Sequence, residues 1–114
     1  MNEYTEGIKI NLAIHDKVLS AITDERVRQE QLRMYDKFAW TCLDKNISNS
    51  EKLAVLAEEF GKVSREVVEQ LIARSKYSDK EVSNVFDEKI QKELVQVAAV
   101  CVAWLEYFFG RERE

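Results

Sequence analysis

Apolar residues recur at three- and four-residue spacing in three long segments of the chain. This period matches the turn of an α-helix, and it predicts helices over about residues 5–43, 48–74 and 78–110, the first either continuous or broken in its middle. The chain contains no proline and only three glycines, so the usual turn residues of β-rich folds are scarce. We therefore predict an all-α helical bundle that forms a single domain over residues 1–114.

Two short polar stretches have the form of helix starts. Residues 48–51 and 78–81 both read Ser-x-x-Glu, the pattern of a capping box, in which serine and glutamate bond each other's backbone N–H groups. They predict the starts of the second and third helices. Gly110 lacks a Cβ and therefore suits a left-handed C-cap at the end of the last helix.

The last predicted helix is apolar on more than one side. A helix of this kind has to be covered on both sides, which three helices of one small chain can hardly do. We therefore predict a homo-oligomer, either a dimer or a tetramer, with the last helix at its centre. The main stripe is Ile90, Leu94, Val97, Cys101, Trp104, Leu105 and Phe108, and the opposite face is Val95, Ala99 and Val102.

Charge and cysteine usage narrow the partners and the compartment. Seventeen basic and 21 acidic residues give a net charge of -4, and no basic block is present to follow a phosphate backbone, so duplex nucleic acid is not an expected partner. Cys42 and Cys101 lack the spacing of zinc ligands or of a disulfide scaffold, so we interpret them as reduced thiols. The N-terminus lacks the pattern of a signal peptide, and we expect no membrane-spanning segment, which favours a cytoplasmic protein.

Three charged residues fall on or beside apolar helix faces. Glu93 projects into the apolar stripe of the last helix, Glu59 lies at the edge of the middle one, and Arg26 continues the stripe of the first. A buried carboxylate has to be neutralised by a proton, a cation or a basic side chain. Two arrangements satisfy this need: Mg²⁺ between Glu59 and Glu93 with Arg26 near the rim, or a buried Glu93–Arg26 ion pair without a ligand.

Two stretches carry a family resemblance. The sequences LAVLAEEFGKV at 53–63 and KELVQVAAVCVAWLE at 92–106, preceded by an ER-x-RQ element at 25–29, resemble the MazG-like nucleotide pyrophosphohydrolases of the short phage and prophage type. The resemblance covers about residues 19–109. It implies helical dimers or tetramers that hydrolyse a nucleoside triphosphate or its deoxy form to the monophosphate and pyrophosphate, with Mg²⁺, or Mn²⁺ in its place, as cofactor.

The resemblance also implies roles for individual residues. Glu58, Glu59 and Glu93 match acids of the family's EExxE and ExxD motifs and are the expected catalytic and metal-binding residues. Glu59 and Glu93 are the principal ligands, and Glu58 is an auxiliary ligand or a water-orienting base. The expected substrate-binding residues are Arg26, Gln29, Lys37, Lys62 and Gln96.

The chain departs from the family pattern at two positions, where Lys62 and Gln96 replace acids. An amide oxygen can still hold a metal or its water, but an ammonium competes with the metal for negative charge. Lys62 could instead contact a phosphate. The alternative hypothesis is therefore a catalytically inactive nucleotide-binding protein of the same fold, such as a phage sponge for a nucleotide signal. A helical oligomer without any ligand is the third hypothesis. Trp40 and Trp104 can stack on a base, although core or interface packing is their more common role.

Overall fold

Three long helices make up the structure, a computed structural model that describes residues 11–35, 40–76 and 80–111. They are α1, Leu12–Tyr35; α2, Asn49–Lys76; and α3, Lys80–Arg111. No strand occurs within these ranges. The prediction of an all-α fold is therefore confirmed.

The end of the first helix differs from the prediction. Residues 41–47 form turns rather than the last part of a helix. Asp44 accepts a hydrogen bond from the backbone N–H of Thr41 at 2.9 Å and donates its own N–H to the Thr41 carbonyl at 3.0 Å. Such local bonds from an aspartate compete with helical ones, so the predicted extension of the helix to residue 43 is wrong.

Of the three predicted helix caps, one is confirmed, one lies partly outside the described residues and one is wrong. At the start of α2, the Glu51 N–H donates to Ser48 Oγ at 3.2 Å and the Ser48 N–H donates to Glu51 Oε1 at 3.3 Å, which confirms the capping box. The second predicted box, at 78–81, lies partly outside the described residues. The left-handed cap at Gly110 is wrong, because no described glycine has a positive φ and α3 continues to Arg111. There the Arg111 guanidinium lies 5.4 Å from the Phe108 ring centroid, a contact across one helical turn.

Helix α3 is the central element of the described fold. Both α1 and α2 pack on α3 rather than on each other, so a groove remains between them. Small side chains permit this close packing, since Ala99 and Ala103 are almost completely buried. Val100 and Cys42 complete the small core.

Helices α2 and α3 run antiparallel, and polar contacts mark both ends of their interface. At one end Trp104 Nε1 donates to Asn49 Oδ1 at 3.2 Å. At the other, Gln70 Nε2 donates to Asp87 Oδ1 at 2.7 Å. This register places the middle of α2, around Glu59, opposite the middle of α3.

A lysine is buried completely near the start of α2. Lys52 has no exposed surface, and its Nζ lies 3.3 Å from the centroid of the Tyr107 ring. No hydrogen-bond partner of this Nζ occurs among the described residues. A cation–π interaction with Tyr107 therefore provides the favourable electrostatic contact of this ammonium group.

Large apolar surfaces remain exposed on the single chain. The apolar face of α2 is only partly covered, since Phe60 is 62% and Leu71 is 69% exposed. The radius of gyration is 17.7 Å, whereas a compact domain of this length has about 13 Å. The apolar residues of α2 thus exceed what α1 and α3 of the same chain can bury.

The apolar character of α3 also bears on the membrane prediction. Its segment Ser83–Arg111 is long and apolar enough to cross a bilayer by length and composition alone, with a mean hydropathy of 1.4 in its most apolar window. The prediction that no apolar run is long enough to span a bilayer is therefore wrong by this measure. The absence of a membrane partner stays a prediction. A helix at the centre of a soluble bundle has the same character, so the cytoplasmic location stays a prediction.

Candidate functional site

Two acidic side chains meet midway along the α2–α3 interface. Glu59 lies on α2, while Glu93 and Gln96 lie one turn apart on the same face of α3. With its amide nitrogen turned toward the acids, Gln96 donates to Glu59 Oε2 at 3.1 Å and to Glu93 Oε2 at 3.0 Å. The structure therefore brings these three predicted site residues together. We call Glu59, Lys62, Glu93 and Gln96 the carboxylate site.

Lys62 closes one side of the carboxylate site. Its Nζ lies 3.1 Å from Glu59 Oε1. The hydrogen bond to Glu59, together with the charges of Glu59, Glu58 and Glu93, raises the pKa of Lys62. The ammonium is therefore charged at neutral pH and neutralises part of the negative charge of Glu59. Glu58 is exposed beside it and acts on Lys62 through its charge.

Arg26 does not belong to the carboxylate site. Its Nε and Nη2 donate to the two carboxylate oxygens of Glu106 at 3.1 and 3.0 Å, and its Nη1 donates to Glu30 at 3.0 Å. Burial disfavours its charge, but these hydrogen bonds outweigh burial and raise the pKa of Arg26. Glu106 lies 13 residues from Glu93, about 20 Å along α3. The predicted Glu93–Arg26 pair and the placement of Arg26 at the rim of a metal site are therefore wrong.

The partners of Arg26 extend into a larger set of ion pairs. Arg33 donates to Glu30 at 2.9 Å and to Asp44 at 2.6 Å, and Thr41 Oγ1 donates to Glu30 at 2.9 Å. These contacts attach the 41–44 turn to α1. Opposite charges at spacings of three and four in α1 could have revealed part of this set from sequence. We call Arg26, Glu30, Arg33, Asp44 and Glu106 the ionic network.

A groove of about 240 Å³ runs beside Glu59, between α1 and α2. Its floor is Val100 and Ala103 of α3, and Gln29 of α1 lines one wall. A substrate-binding role for Gln29 stays a prediction. Trp40 lies at the groove and is 38% exposed. We call this cavity the α1–α2 groove. Its other lining residues are Arg28, Leu32, Arg33, Thr41, Cys42 and Val55.

A second cavity, of about 520 Å³, lies between α1 and α3 on the other side of the carboxylate site. Gln96 and Lys92 line it, and Arg28 lines both this cavity and the α1–α2 groove. The hydrogen bond to Glu25 and the charges of Glu25 and Glu59 raise the pKa of Arg28. We call this cavity the α1–α3 cavity. The ER-x-RQ element contains Arg28, but the apolar stripe of the first helix points to Arg26 instead.

The predicted metal site has few acidic ligands, and one predicted substrate-binding residue lies outside the described ranges. Within residues 11–35, 40–76 and 80–111, no three His, Cys, Asp or Glu side chains form a group that could hold a metal ion. A metal at the carboxylate site would thus use two carboxylates and an amide. Lys37 lies outside the described residues.

Comparisons with known proteins leave the family open. Searches of protein-family models, of curated proteins and of solved structures found no match to the chain. The resemblance to the MazG-like enzymes therefore stays a prediction, and the function has to be argued from the carboxylate site and its two neighbouring cavities.

Proposed function

We propose that this protein is a MazG-like nucleotide pyrophosphohydrolase that uses Mg²⁺ to hydrolyse a nucleoside triphosphate, or its deoxy form, to the monophosphate and pyrophosphate. The main support is the convergence of Glu59, Glu93 and Gln96 beside a groove large enough for part of a ligand. These residues come from the two stretches that resemble the family motifs.

The distances from the Gln96 amide to the two carboxylates are of the size that Mg²⁺ ligands require. Octahedral Mg²⁺ binds oxygen at 2.0–2.1 Å, which places adjacent ligand oxygens about 3 Å apart. One terminal atom of the Gln96 amide lies 3.1 Å from Glu59 Oε2 and 3.0 Å from Glu93 Oε2. Rotating the amide by 180° puts its oxygen at this position. Two carboxylates and one amide oxygen would then hold the ion, and water and phosphate oxygens would complete its ligands.

One set of residues would hold the cofactor, and another set would hold the nucleotide. Glu59, Glu93 and Gln96 would hold Mg²⁺, and Glu58 assists as an auxiliary ligand or orients water. When bound, the ion neutralises phosphate charge and polarises the phosphoryl group. Lys62 is close enough to the carboxylates to contact a phosphate oxygen. Gln29 and Trp40 line the groove that would accept the nucleoside.

The reaction that we propose is a hydrolytic displacement at the α-phosphorus. A water oxygen forms a bond to the α-phosphorus, and the bond from this phosphorus to the oxygen that bridges it to the β-phosphorus breaks. The monophosphate and pyrophosphate leave, and the water proton passes to a carboxylate and then to solvent. Glu58 is the candidate for this acceptor because it is exposed beside Lys62.

A second candidate function is nucleotide binding without turnover. It is favoured by the hydrogen bonds of Gln96 to both carboxylates and by the 3.1 Å contact of Lys62 with Glu59, because these neutral and cationic donors satisfy the acids without a metal. A protein of this kind would sequester a nucleotide or a nucleotide-derived signal, as a phage-encoded sponge does.

A panel of canonical and modified nucleoside triphosphates separates the two functions. Pyrophosphate release with Mg²⁺ or Mn²⁺ is expected for the enzyme, and Glu93→Gln should lower the rate at least about 100-fold, the usual scale for losing a group that stabilises the transition state. Glu69→Gln, an exposed acid on α2, is the matched control. A rise in melting temperature without pyrophosphate release would identify a binding protein. The absence of both effects across the panel would contradict both functions.

We also propose that the protein is a cytoplasmic homo-oligomer, a dimer or a tetramer. The exposed apolar residues of α2 and the extended shape of the single chain support this proposal. Sedimentation equilibrium should give two or four times the mass of one chain, and Phe60→Glu should lower that mass. A monomer at micromolar concentration would contradict it.

A further inference from the structure

The two arginines of the ER-x-RQ element, Arg26 and Arg28, differ in exposure and in hydrogen bonding. Arg26 is 7% exposed and its guanidinium is occupied by Glu106 and Glu30. The Arg28 side chain is 55% exposed. Residues two positions apart on a helix do not face the same direction. The arginine available to a ligand at the carboxylate site is therefore Arg28, which the family resemblance did not assign to the substrate.

Arg28 occupies the junction between the two cavities. It lines the α1–α2 groove together with Glu59 and the α1–α3 cavity together with Gln96. The charge of Glu59 contributes to the raised pKa of Arg28, which is a further sign that the guanidinium lies near this carboxylate. Arg28 is thus the lining residue that the α1–α2 groove and the α1–α3 cavity share.

Glu25 fixes the orientation of this guanidinium. Arg28 Nε donates to both Glu25 carboxylate oxygens at 2.6 and 2.7 Å, and Nη2 contacts Oε1. Glu25 itself is only 8% exposed, so it is a buried support. Nη1 makes no hydrogen bond to any residue in the described ranges and can donate two N–H groups to a ligand.

We propose that Arg28 binds the phosphate chain of the nucleotide and that Glu25 is its positioning residue. This inference rests on the proposed function. The nucleoside occupies the α1–α2 groove, beside Trp40 and Gln29, and the phosphates extend past Glu59 and Gln96 toward the α1–α3 cavity. A guanidinium suits this role because its planar N–H groups can bond two phosphate oxygens at once, which a lysine ammonium cannot do in the same geometry.

Binding of nucleosides and of triphosphate analogues tests this assignment. Calorimetry with Mg²⁺ compares each nucleoside with its triphosphate analogue that has an imido group between the α- and β-phosphorus. Arg28→Met should weaken binding of the triphosphate about 10- to 100-fold, the range for a lost charged hydrogen bond, and leave nucleoside binding unchanged. Arg28→Lys should fall between wild type and Arg28→Met.

Three further variants separate a phosphate contact from a structural role. Arg65→Met, at an exposed arginine of α2, should bind both ligands like the wild type. Glu25→Gln should weaken only the triphosphate, by less than Arg28→Met does. In the double variant, the effect of Glu25→Gln should disappear once Arg28 is absent, because a positioning residue acts through the residue that it holds.

The outcomes distinguish this inference from the proposed function. Wild-type affinity of Arg28→Met for the triphosphate would overturn the role of Arg28 while the wild type still binds nucleotides. Equal weakening of nucleoside and triphosphate would overturn it too, since Arg28 would then support the fold. A wild-type protein that binds no triphosphate analogue would instead overturn the proposed function, and the assignment of Arg28 with it.

Discussion

Carboxylates lie at contacts of α3 in both the ionic network and the carboxylate site, but the hydrogen-bond partners of these carboxylates differ. In the ionic network, Arg26 uses two N–H directions for Glu106 and a third for Glu30. In the carboxylate site, the Glu93 Oε2 partner is the neutral amide of Gln96. Guanidinium pairs are strong and fixed in geometry. An amide pair is weaker, and rotation of the amide exchanges a donor for an acceptor at the same position.

This difference separates a structural region from the region that we propose to bind a ligand. The ionic network is complete within the chain, and it attaches both α3 and the 41–44 turn to α1. The carboxylate site can take up a cation without breaking any ion pair except the one between Lys62 and Glu59. Substitutions in the first region should therefore alter stability, and those in the second should alter binding.

The largest expected effect is on stability, from Arg26→Met. The change leaves Glu30 and Glu106 without their shared arginine. Breaking a buried pair typically costs roughly 3–5 kcal/mol, and since the Glu106 side chain is 45% exposed we expect a loss of about 2 kcal/mol. Urea denaturation at fixed protein concentration measures it. Arg65→Met should stay within about 0.5 kcal/mol of wild type. Equal stability of both variants would show that the ionic network is not structural.

A smaller effect is expected on metal affinity, from Lys62→Gln. Removing the ammonium that lies 3.1 Å from Glu59 should tighten Mg²⁺ binding about tenfold, which corresponds to about 1.4 kcal/mol, because a competing charge is lost. Lys62→Glu should tighten it further and raise turnover. Lys76→Gln, at an exposed lysine of α2, is the control for net charge. Unchanged Mg²⁺ affinity in Lys62→Gln would place Lys62 outside the metal site.

The smallest effect concerns acid stability and the ionic network. Burial opposes ionisation of Glu30, but hydrogen bonds from Thr41, Arg26 and Arg33 outweigh it and lower its pKa below the ordinary 4.5. Ionised Glu30 therefore stabilises the fold above this pH, and the contribution is lost as the pH falls through the lower, folded-state pKa. Thermal unfolding from pH 6 to pH 3 should show a smaller loss of stability in Glu30→Gln than in wild type. An identical pH profile would show that Glu30 carries no such contribution.

The helical architecture could be predicted from the sequence because it depends on local patterns. The capping box at 48–51 and the three periodic segments each involve residues close together in the chain. The 41–44 turn was missed because its stability depends on Asp44 contacts with Thr41 and with Arg33, eleven residues away. The end of α3 near Gly110 was predicted to within one residue, but the left-handed cap was not found, because Gly110 is still helical.

The candidate site was predictable in part. The alternation of apolar and polar positions indicated that Glu59 and Glu93 approach a common interface, and the structure places both against Gln96. The partner of Arg26 could not be predicted in this way, because it depends on which part of α3 lies opposite α1. Arg28 was missed for the same reason. It lines two cavities, and both cavities form only when the three helices pack together.

The two tryptophans lie at different parts of the same fold. Trp104 bonds Asn49 at the start of α2, whereas Trp40 lines the α1–α2 groove with about a third of its surface exposed. Their indole emission can thus be assigned by Trp→Phe exchange, one at a time. Trp104 would then report the docking of α2 on α3, and Trp40 would report occupancy of the groove, so a single optical titration could follow folding and ligand uptake in the unlabelled chain.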